Sequence, residues 1–254
     1  MVSAYRKAGL NSRSFTSIHR LRYSVGLKNP DPTQDLLHLH GTARAVKALQ
    51  ADGILPTRNF RQGNFEHFEA ISGQTMSQTI LVNRGTCFAC VVACKREVEV
   101  PELGVTPEYG GPEYETIAAN GSLCGVGDLK SIALANKLLA QYVLDSISSG
   151  SVIAFAMECY ENGLLTKEDT GGIELTFGNE VAVIAMIEKI GKREGIGDLL
   201  AEGVKRAAVK IGHGTEHLKP YPDCEFQESF GTSQGRAIHT ASFFPKGCAM
   251  TGYS

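Results

Sequence analysis

The sequence predicts a mainly α-helical fold, and three observations support this prediction. Several long segments place apolar residues three and four positions apart, which is the spacing of one helix face. Glycine follows most of these segments, as expected where helices end in a left-handed residue. Alternating patterns typical of strands are scarce. With 254 residues, 43% of them hydrophobic and 20% charged, the chain is long enough to bury a core and has the composition of a soluble globular protein.

The first predicted helix lies in PTQDLLHLHGTARAVKALQADG, residues 32–53. Thr33 is suited to cap its start, and Gly53 is suited to the left-handed position after its end. Its apolar stripe consists of Leu36, Leu39, Ala43, Val46 and Leu49.

Four more helices are predicted further along the chain. DLKSIALANKLLAQYVL has Asp128 as a candidate cap, and SVIAFAMECYENG is apolar on most faces until Gly163, which predicts a buried helix. NEVAVIAMIEKIG is expected to stop at Gly191, and DLLAEGVKRAAVKIG to run from Asp198 to Gly212. The stripes are Leu129, Ile132, Ala135, Leu139 and Tyr142 in the first, Val181, Ile184, Ile187 and Ile190 in the third, and Leu200, Val204, Ala207 and Ile211 in the last. REVEV is the candidate strand.

Composition also narrows the class of function. The net charge is −2 with no basic block, so neither nucleic acid nor an anionic membrane surface is an expected partner. No apolar run approaches the roughly 18 residues that a membrane-spanning helix needs. The start, MVSAYRKAGLNSRSF, has no apolar core of a secretory signal, so a cytoplasmic location is expected. Clustered thiols in that compartment indicate metal or redox ligands rather than disulfides.

The segment CFACVVACKR places Cys87, Cys90 and Cys94 at C-x2-C-x3-C spacing. Zinc fingers and ribbons bring a second ligand pair, and His213 and His217 are isolated and far downstream. Iron–sulfur clusters take four thiolates, often three local and one remote. The spacing therefore favours an iron–sulfur cluster over zinc, and it leaves plain core or redox thiols as an alternative.

Two glycine- and proline-containing segments interrupt the helices at residues 54–65 and 101–127. Loops expose backbone and side chains to ligands more often than helices do. The cysteine segment, the second loop and several helix starts lie close in sequence. This arrangement suits a cofactor held between helices.

Several ordered blocks resemble the aldehyde ferredoxin oxidoreductase family, between about His40 and about Lys219. They are HGTARAVKALQADGILPTRNFRQGNFE, CFACVVAC, GPEYETIAANGSLCGV, LANKLLAQYVLDSISSG and ENGLLTKEDTGGIELTFGNEVAVIAMIEKIGKREGIGDLLAEGVKRAA. The resemblance implies that this chain corresponds to the helical middle and the start of the C-terminal region of proteins of that family. Residues 36–219 are thus expected to form a helical domain, after a poorly matched segment 1–35 and before a divergent tail 220–254.

The resemblance implies an activity and its cofactors. Members of the family oxidise aldehydes to carboxylic acids at a tungsten or molybdenum bis-pterin centre, and electrons pass through a [4Fe-4S] cluster to ferredoxin. By position, Cys87, Cys90 and Cys94 correspond to three cluster ligands and Glu115 to an acid near the metal. The pterin motif D-x-x-G-L-D-T aligns with AQYVLDS, where Leu144 and Asp145 are kept. A homodimer is a further expectation.

Some of these residues also have a purely structural interpretation. Lys95 and Arg96 either offset the negative charge of the cluster or are solvated. Asp145 is suited to cap the next helix, and one residue can do both. Glu115 without the resemblance is a loop carboxylate. The residues for which packing is an equal or better interpretation are Arg58, Asn59, Cys124 and Cys159.

The chain also departs from the family pattern. Ala140 stands at the first Asp of the pterin motif and Val143 at its Gly, a position where valine adopts positive φ with difficulty. The fourth cluster cysteine and a second pterin motif are expected beyond Ser254, so the chain reads as a truncated or frameshifted copy. An iron–sulfur electron-transfer module and an inactive helical fragment without cofactor are the alternative functions.

Overall fold

The computed structural model describes residues 32–87, 92–212 and Thr215, and it confirms the mainly helical prediction. The helices of this part of the chain are α1 (Pro32–His40), α2 (Ala45–Ala51), α3 (Gly73–Thr79), α4 (Tyr114–Asn120), α5 (Leu129–Tyr142), α6 (Ser146–Glu161), α7 (Glu180–Lys192), α8 (Ile196–Leu200) and α9 (Val204–Ile211). Short 3-10 helices cover Thr42–Arg44, Pro101–Leu103, Pro107–Tyr109 and Ser122–Cys124.

The core is built around α6, which is buried along most of its length as its composition predicts. Helix α4 packs along α6, while α5 and α8 pack against α7. Gly150 permits the close crossing of α4 and α6, because a Cβ atom there would lie 2.5 Å from the carbonyl oxygen of Ala119. The large side chains that fill the core include Phe65, Ile71, Ile117, Leu123, Phe155 and Met157.

Side-chain caps start several of these helices. Asp128 accepts a hydrogen bond from the Ser131 N–H at 2.8 Å, which confirms the predicted cap of α5. Asn179 caps α7 in the same way through the N–H of Ala182. Each cap satisfies a donor that the first helical turn leaves without an intrahelical partner.

Strands β1 (Leu81–Gly85) and β2 (Lys95–Val98) form an antiparallel ribbon with Gly85 opposite Lys95. The candidate strand REVEV is thus largely confirmed as β2. Strand β1 was not predicted, because the three central residues of LVNRG are all exposed and no alternation marks a buried face.

The prediction of one helix over residues 32–53 is wrong in two respects. Gly41 adopts φ 62° and separates α1 from the turn that leads into α2, and Thr33 lies inside α1, which already includes Pro32. Leu36 and Leu39 are 40% and 36% exposed, whereas Ala43 and Val46 are fully buried. The break redirects the chain, so an apolar stripe drawn through both halves does not face one core.

Two further helices differ from the prediction. Helix α7 continues through Gly191, where it was expected to stop, and ends at Lys192. Val181 is 71% exposed, and the buried face of α7 instead includes Ala182, Val183 and Met186. The last predicted helix is divided into α8 and α9 by Gly203, which adopts φ 84°. Gly53 does adopt the predicted positive φ angle, at 70°.

Val143 ends α5 in the left-handed conformation, with φ 56° and ψ 41° and 90% of its surface exposed. A β-branched residue in this region carries a conformational cost of about 1–2 kcal/mol. We expect Val143→Gly to raise the free energy of unfolding by about 1 kcal/mol, and the melting temperature by about 2–4 °C, despite the larger chain entropy of glycine. Thermal unfolding followed by circular dichroism tests this. The control is Val209→Gly at an exposed position inside α9, which should destabilise the protein.

Among the described helices, no single one is long and apolar enough to cross a membrane. Leu129–Gln141 and Ser146–Glu161 pass that test only as a pair, and they are bent by 117° relative to each other. Most of the second helix of the pair is buried in the core.

Candidate functional site

The pairing of the ribbon brings Cys87 and Cys94 to the same end of β1 and β2. Cys87 follows Gly85 by two residues and Cys94 directly precedes Lys95, and Gly85 and Lys95 are partners in register. Cys87 is exposed and Cys94 is partly buried. Cys90 belongs to residues 88–91, which lie outside the described part of the chain.

The backbone around Cys94 is held by a buried arginine. Ala93 adopts φ 50°, and the carbonyl oxygens of Ala93 and Cys94 both accept hydrogen bonds from Arg96, at 2.7 and 3.0 Å. The side chain of Arg96 is fully buried, so the solvated interpretation is wrong for Arg96, whereas Lys95 is exposed. Burial, and secondly the charge of Arg84, lower the pKa of Arg96.

The last turn of α1 carries two histidines, His38 and His40. His38 Nδ1 is 2.6 Å from the carbonyl oxygen of Val92, so the ring donates to the cysteine segment in the tautomer with a proton on Nδ1. His40 Nδ1 is 2.9 Å from the Ser77 hydroxyl. Burial, and then the charge of Arg96, lower the pKa of His40 and favour its neutral form.

Glu115 lies in the first turn of α4 and is partly buried. Its Oε2 atom is shielded from solvent. A carboxylate near the start of a helix is stabilised by the helix dipole. Glu115 is therefore a carboxylate set at the surface of the core rather than a freely solvated loop residue.

Asp145 and Leu144 occupy the sharp turn between α5 and α6. Asp145 is exposed and caps α6, because its Oδ1 accepts a hydrogen bond from the Ser148 N–H at 2.7 Å. Leu144 is partly buried and packs against the core. Ala140, at the end of α5, is exposed and offers no side-chain acceptor.

A series of contacts connects the cysteine segment with these two helix starts. Gly41 lies so close to Cys94 that a Cβ atom on it would be 2.8 Å from the Cys94 carbonyl oxygen. The adjacent Thr42 hydroxyl donates to the carboxylate of Glu113 and accepts from the Tyr114 N–H. The next contact joins α4 to α6, since the hydroxyls of Thr116 and Ser146 are 2.9 Å apart.

These contacts place the immediate neighbours of Glu115 and Asp145 against each other and against the cysteine segment. Asn120 reinforces the junction of α4 and α6 by donating to the carbonyl oxygen of Ser146 at 3.0 Å. Segments that are far apart in sequence are thus joined by a continuous series of contacts. Sequence reasoning missed Thr42 and Asn120, because an isolated threonine or asparagine carries no signal of its partner.

Segment 58–60 adopts a left-handed turn at Arg58, Asn59 and Phe60, and it serves packing in this structure. Asn59 donates to the buried carboxylate of Glu158 at 2.6 Å, and Arg58 pairs with Glu66. Arg61 lies over the ring of Phe177 at 4.7 Å and pairs with Glu161 at 2.9 Å.

Cys124 and Cys159 are fully buried, as predicted for core thiols. Burial raises the pKa of both thiols, that of Cys159 to about 12. They stay protonated at neutral pH.

The fold and site define a helical domain in which a series of contacts links cysteines at a ribbon end to two carboxylate-bearing helix starts. The family model for aldehyde ferredoxin oxidoreductase, domains 2 and 3, matches residues 22–229. The chain belongs to this family, which confirms the resemblance found in the sequence.

Curated relatives from three archaea carry the same family name. The chain is 43% identical over 182 residues to the tungsten-containing aldehyde ferredoxin oxidoreductases of Pyrococcus abyssi and Pyrococcus horikoshii, which covers 70% of this chain and 29% of each relative. It is 42% identical over 188 residues to that of Thermococcus kodakarensis, covering 74% of this chain and 31% of the relative. The chain therefore spans less than one third of the length of these relatives.

Among solved structures, the active-site complex BamBC of benzoyl coenzyme A reductase superimposes with a TM-score of 0.53. The match covers 74% of this chain and 32% of that chain at 22% identity. At this identity the match supports the fold alone.

Proposed function

We propose that this chain contributes the helical part of an enzyme that oxidises aldehydes to carboxylic acids and passes the electrons to ferredoxin in the cytoplasm. The observation that supports the proposal is the series of contacts that links the segments of Cys94, Glu115 and Asp145 in a domain of this family. When bound, a tungsten or molybdenum bis-pterin centre and a [4Fe-4S] cluster would supply the redox chemistry. The reaction converts an aldehyde and water into a carboxylic acid, two protons and two electrons.

The cysteine segment fits an iron–sulfur cluster in its donor chemistry. Cys87 and Cys94 lie at one ribbon end, with Cys90 between them in sequence. Thiolates are the usual ligands of such clusters, and a nearby buried cation such as Arg96 offsets their negative charge. We assign Cys87, Cys90 and Cys94 as three cluster ligands.

Glu115 is proposed to accept one of the protons released in the oxidation. A partly buried carboxylate keeps a defined position, which is the first requirement of a general base. Thr42 fixes the start of α4 through Glu113 and Tyr114, and thereby fixes the position of Glu115.

Asp145 and Leu144 are proposed to contact the pterin. Asp145 uses Oδ1 to cap α6, and its second carboxylate oxygen is of the type that accepts from pterin N–H groups. The family acceptor corresponding to Ala140 is absent from this chain, so Asp145 carries this contact without that neighbour.

An iron–sulfur electron-transfer module remains the second candidate function. The thiols at the ribbon end favour it, because an iron–sulfur cluster can bind without the bis-pterin centre. The organisation around Glu115 and Asp145 favours the oxidoreductase, since a cluster carrier needs neither carboxylate.

The test is to purify the full chain without oxygen and measure iron, sulfide, tungsten, molybdenum and aldehyde-dependent reduction of ferredoxin. In the metal-loaded protein, Glu115→Gln is expected to lower the turnover rate by about 100-fold or more with little change in metal content. Glu108→Gln, an exposed loop carboxylate, is the matched control and should keep full activity.

The outcomes separate the candidate functions. Iron with tungsten or molybdenum and aldehyde oxidation supports the enzyme, whereas iron alone supports the electron-transfer module. A protein with neither metal would contradict both. Full turnover in Glu115→Gln would exclude Glu115 as the proton acceptor.

A further inference from the structure

The side chain of Arg96 is hydrogen-bonded to backbone carbonyls on two separate segments. Nη1 donates to Leu39 at 2.8 Å, and Nη2 donates to His38 at 3.0 Å, both at the end of α1. Nη2 also donates to Ala93 and Nε to Cys94. Four of the five N–H donors of the guanidinium are thereby used.

The charge of Arg96 is compensated by these carbonyls. No carboxylate in the described part of the chain lies within salt-bridge distance of the guanidinium. The carbonyls of His38 and Leu39 belong to the last turn of α1, where the helix dipole favours a cation. In the described part of the chain, the hydrogen bonds of this buried cation go to backbone oxygens, so they fix the path of the backbone rather than a partner side chain.

Two glycines make room for this arrangement. A Cβ atom at Gly41 would lie 3.1 Å from Arg96 Nε, and one at Gly111 would lie 2.9 Å from Arg96 Cβ. Gly41 also has φ 62°, which glycine adopts without strain. The surrounding backbone is therefore shaped around the arginine side chain.

We propose that Arg96 is a positioning residue that ties the backbone of Ala93 and Cys94 to the end of α1. It thereby sets the backbone position that carries the Cys94 side chain. The consequence for an iron–sulfur cluster rests on the proposed function, whereas the fixation of the backbone does not.

Hydrogen exchange of the metal-free full chain tests the fixation directly. Arg96→Met is expected to speed amide exchange in residues 92–96 and 38–41 by at least about tenfold, because hydrogen bonds from a charged donor are lost. Residues 152–159 in the core of α6 should exchange as in the unchanged protein. Arg84→Met removes a neighbouring exposed cation and should leave both segments protected.

Arg96→Lys keeps the inference testable if Arg96→Met fails to fold. Lysine retains the charge but has three donors at one point, so exchange in residues 92–96 should be intermediate. Unchanged protection of residues 92–96 in Arg96→Lys, and in Arg96→Met where that variant folds, would overturn the inference.

A second measurement connects the fixation to the cluster. In iron-loaded protein, Arg96→Lys should alter the electron paramagnetic resonance spectrum of the reduced cluster, while Arg84→Met should not. If the unchanged protein binds no iron, the proposed cluster is contradicted, and the exchange data still decide the role of Arg96. If exchange is faster but the spectrum is unaltered, Arg96 fixes the backbone in the metal-free chain only. The proposed effect of Arg96 on the cluster would then be wrong.

Discussion

Cys94→Ser is expected to remove most of the iron from protein purified without oxygen. A [4Fe-4S] cluster contains about four irons held by thiolates, and a serine hydroxyl is a much poorer ligand for it. The described cysteines outside this segment, Cys124 and Cys159, are fully buried, so neither is available to replace Cys94. Colorimetric iron and sulfide analysis per chain measures the loss.

Cys159→Ala is the matched control for this experiment. Its thiol is fully buried in α6, and burial raises its pKa to about 12, so it is not available as a thiolate ligand. The control should retain the iron of the unchanged protein. Equal iron in Cys94→Ser and Cys159→Ala would show that Cys94 is not a cluster ligand.

Gly150→Ala is expected to lower the free energy of unfolding by about 2–3 kcal/mol, although alanine is the better helix former. The new Cβ atom would lie 2.5 Å from the carbonyl oxygen and 2.6 Å from the carbonyl carbon of Ala119. These are backbone atoms of α4, so the clash cannot be relieved by rotating a side chain. Helices α4 and α6 must move apart.

Urea unfolding measures the loss, and Gly163→Ala provides the comparison. Gly163 has φ 69°, and a Cβ atom added to it would have no neighbouring atom within 4 Å, so only conformational strain of about 1–2 kcal/mol is expected there. A smaller loss in Gly150→Ala than in Gly163→Ala would contradict the proposed close packing. The same displacement should also weaken the contact between Thr116 and Ser146 that joins the starts of α4 and α6.

Much of the candidate site was predictable from local sequence. Three cysteines within eight residues identified a candidate cluster-binding segment, and family blocks identified Glu115, Leu144 and Asp145 as candidates. Their roles stay predictions, as do the domain limits 1–35, 36–219 and 220–254. The partners of these residues were not predictable, because Thr42, Arg96 and Ser146 come from distant segments.

The sequence by itself determined the helical class, the caps at Asp128 and Asp145, and the buried character of α6. Each depends on residues within a few positions of one another, so periodicity and capping chemistry are sufficient. Only the tertiary structure decided that Gly41 breaks the first helix, that Val143 adopts a left-handed conformation and that Arg96 is buried. In each case tertiary packing outweighs the local conformational preference. Packing depends on contacts between segments that are far apart in sequence, which local patterns do not show.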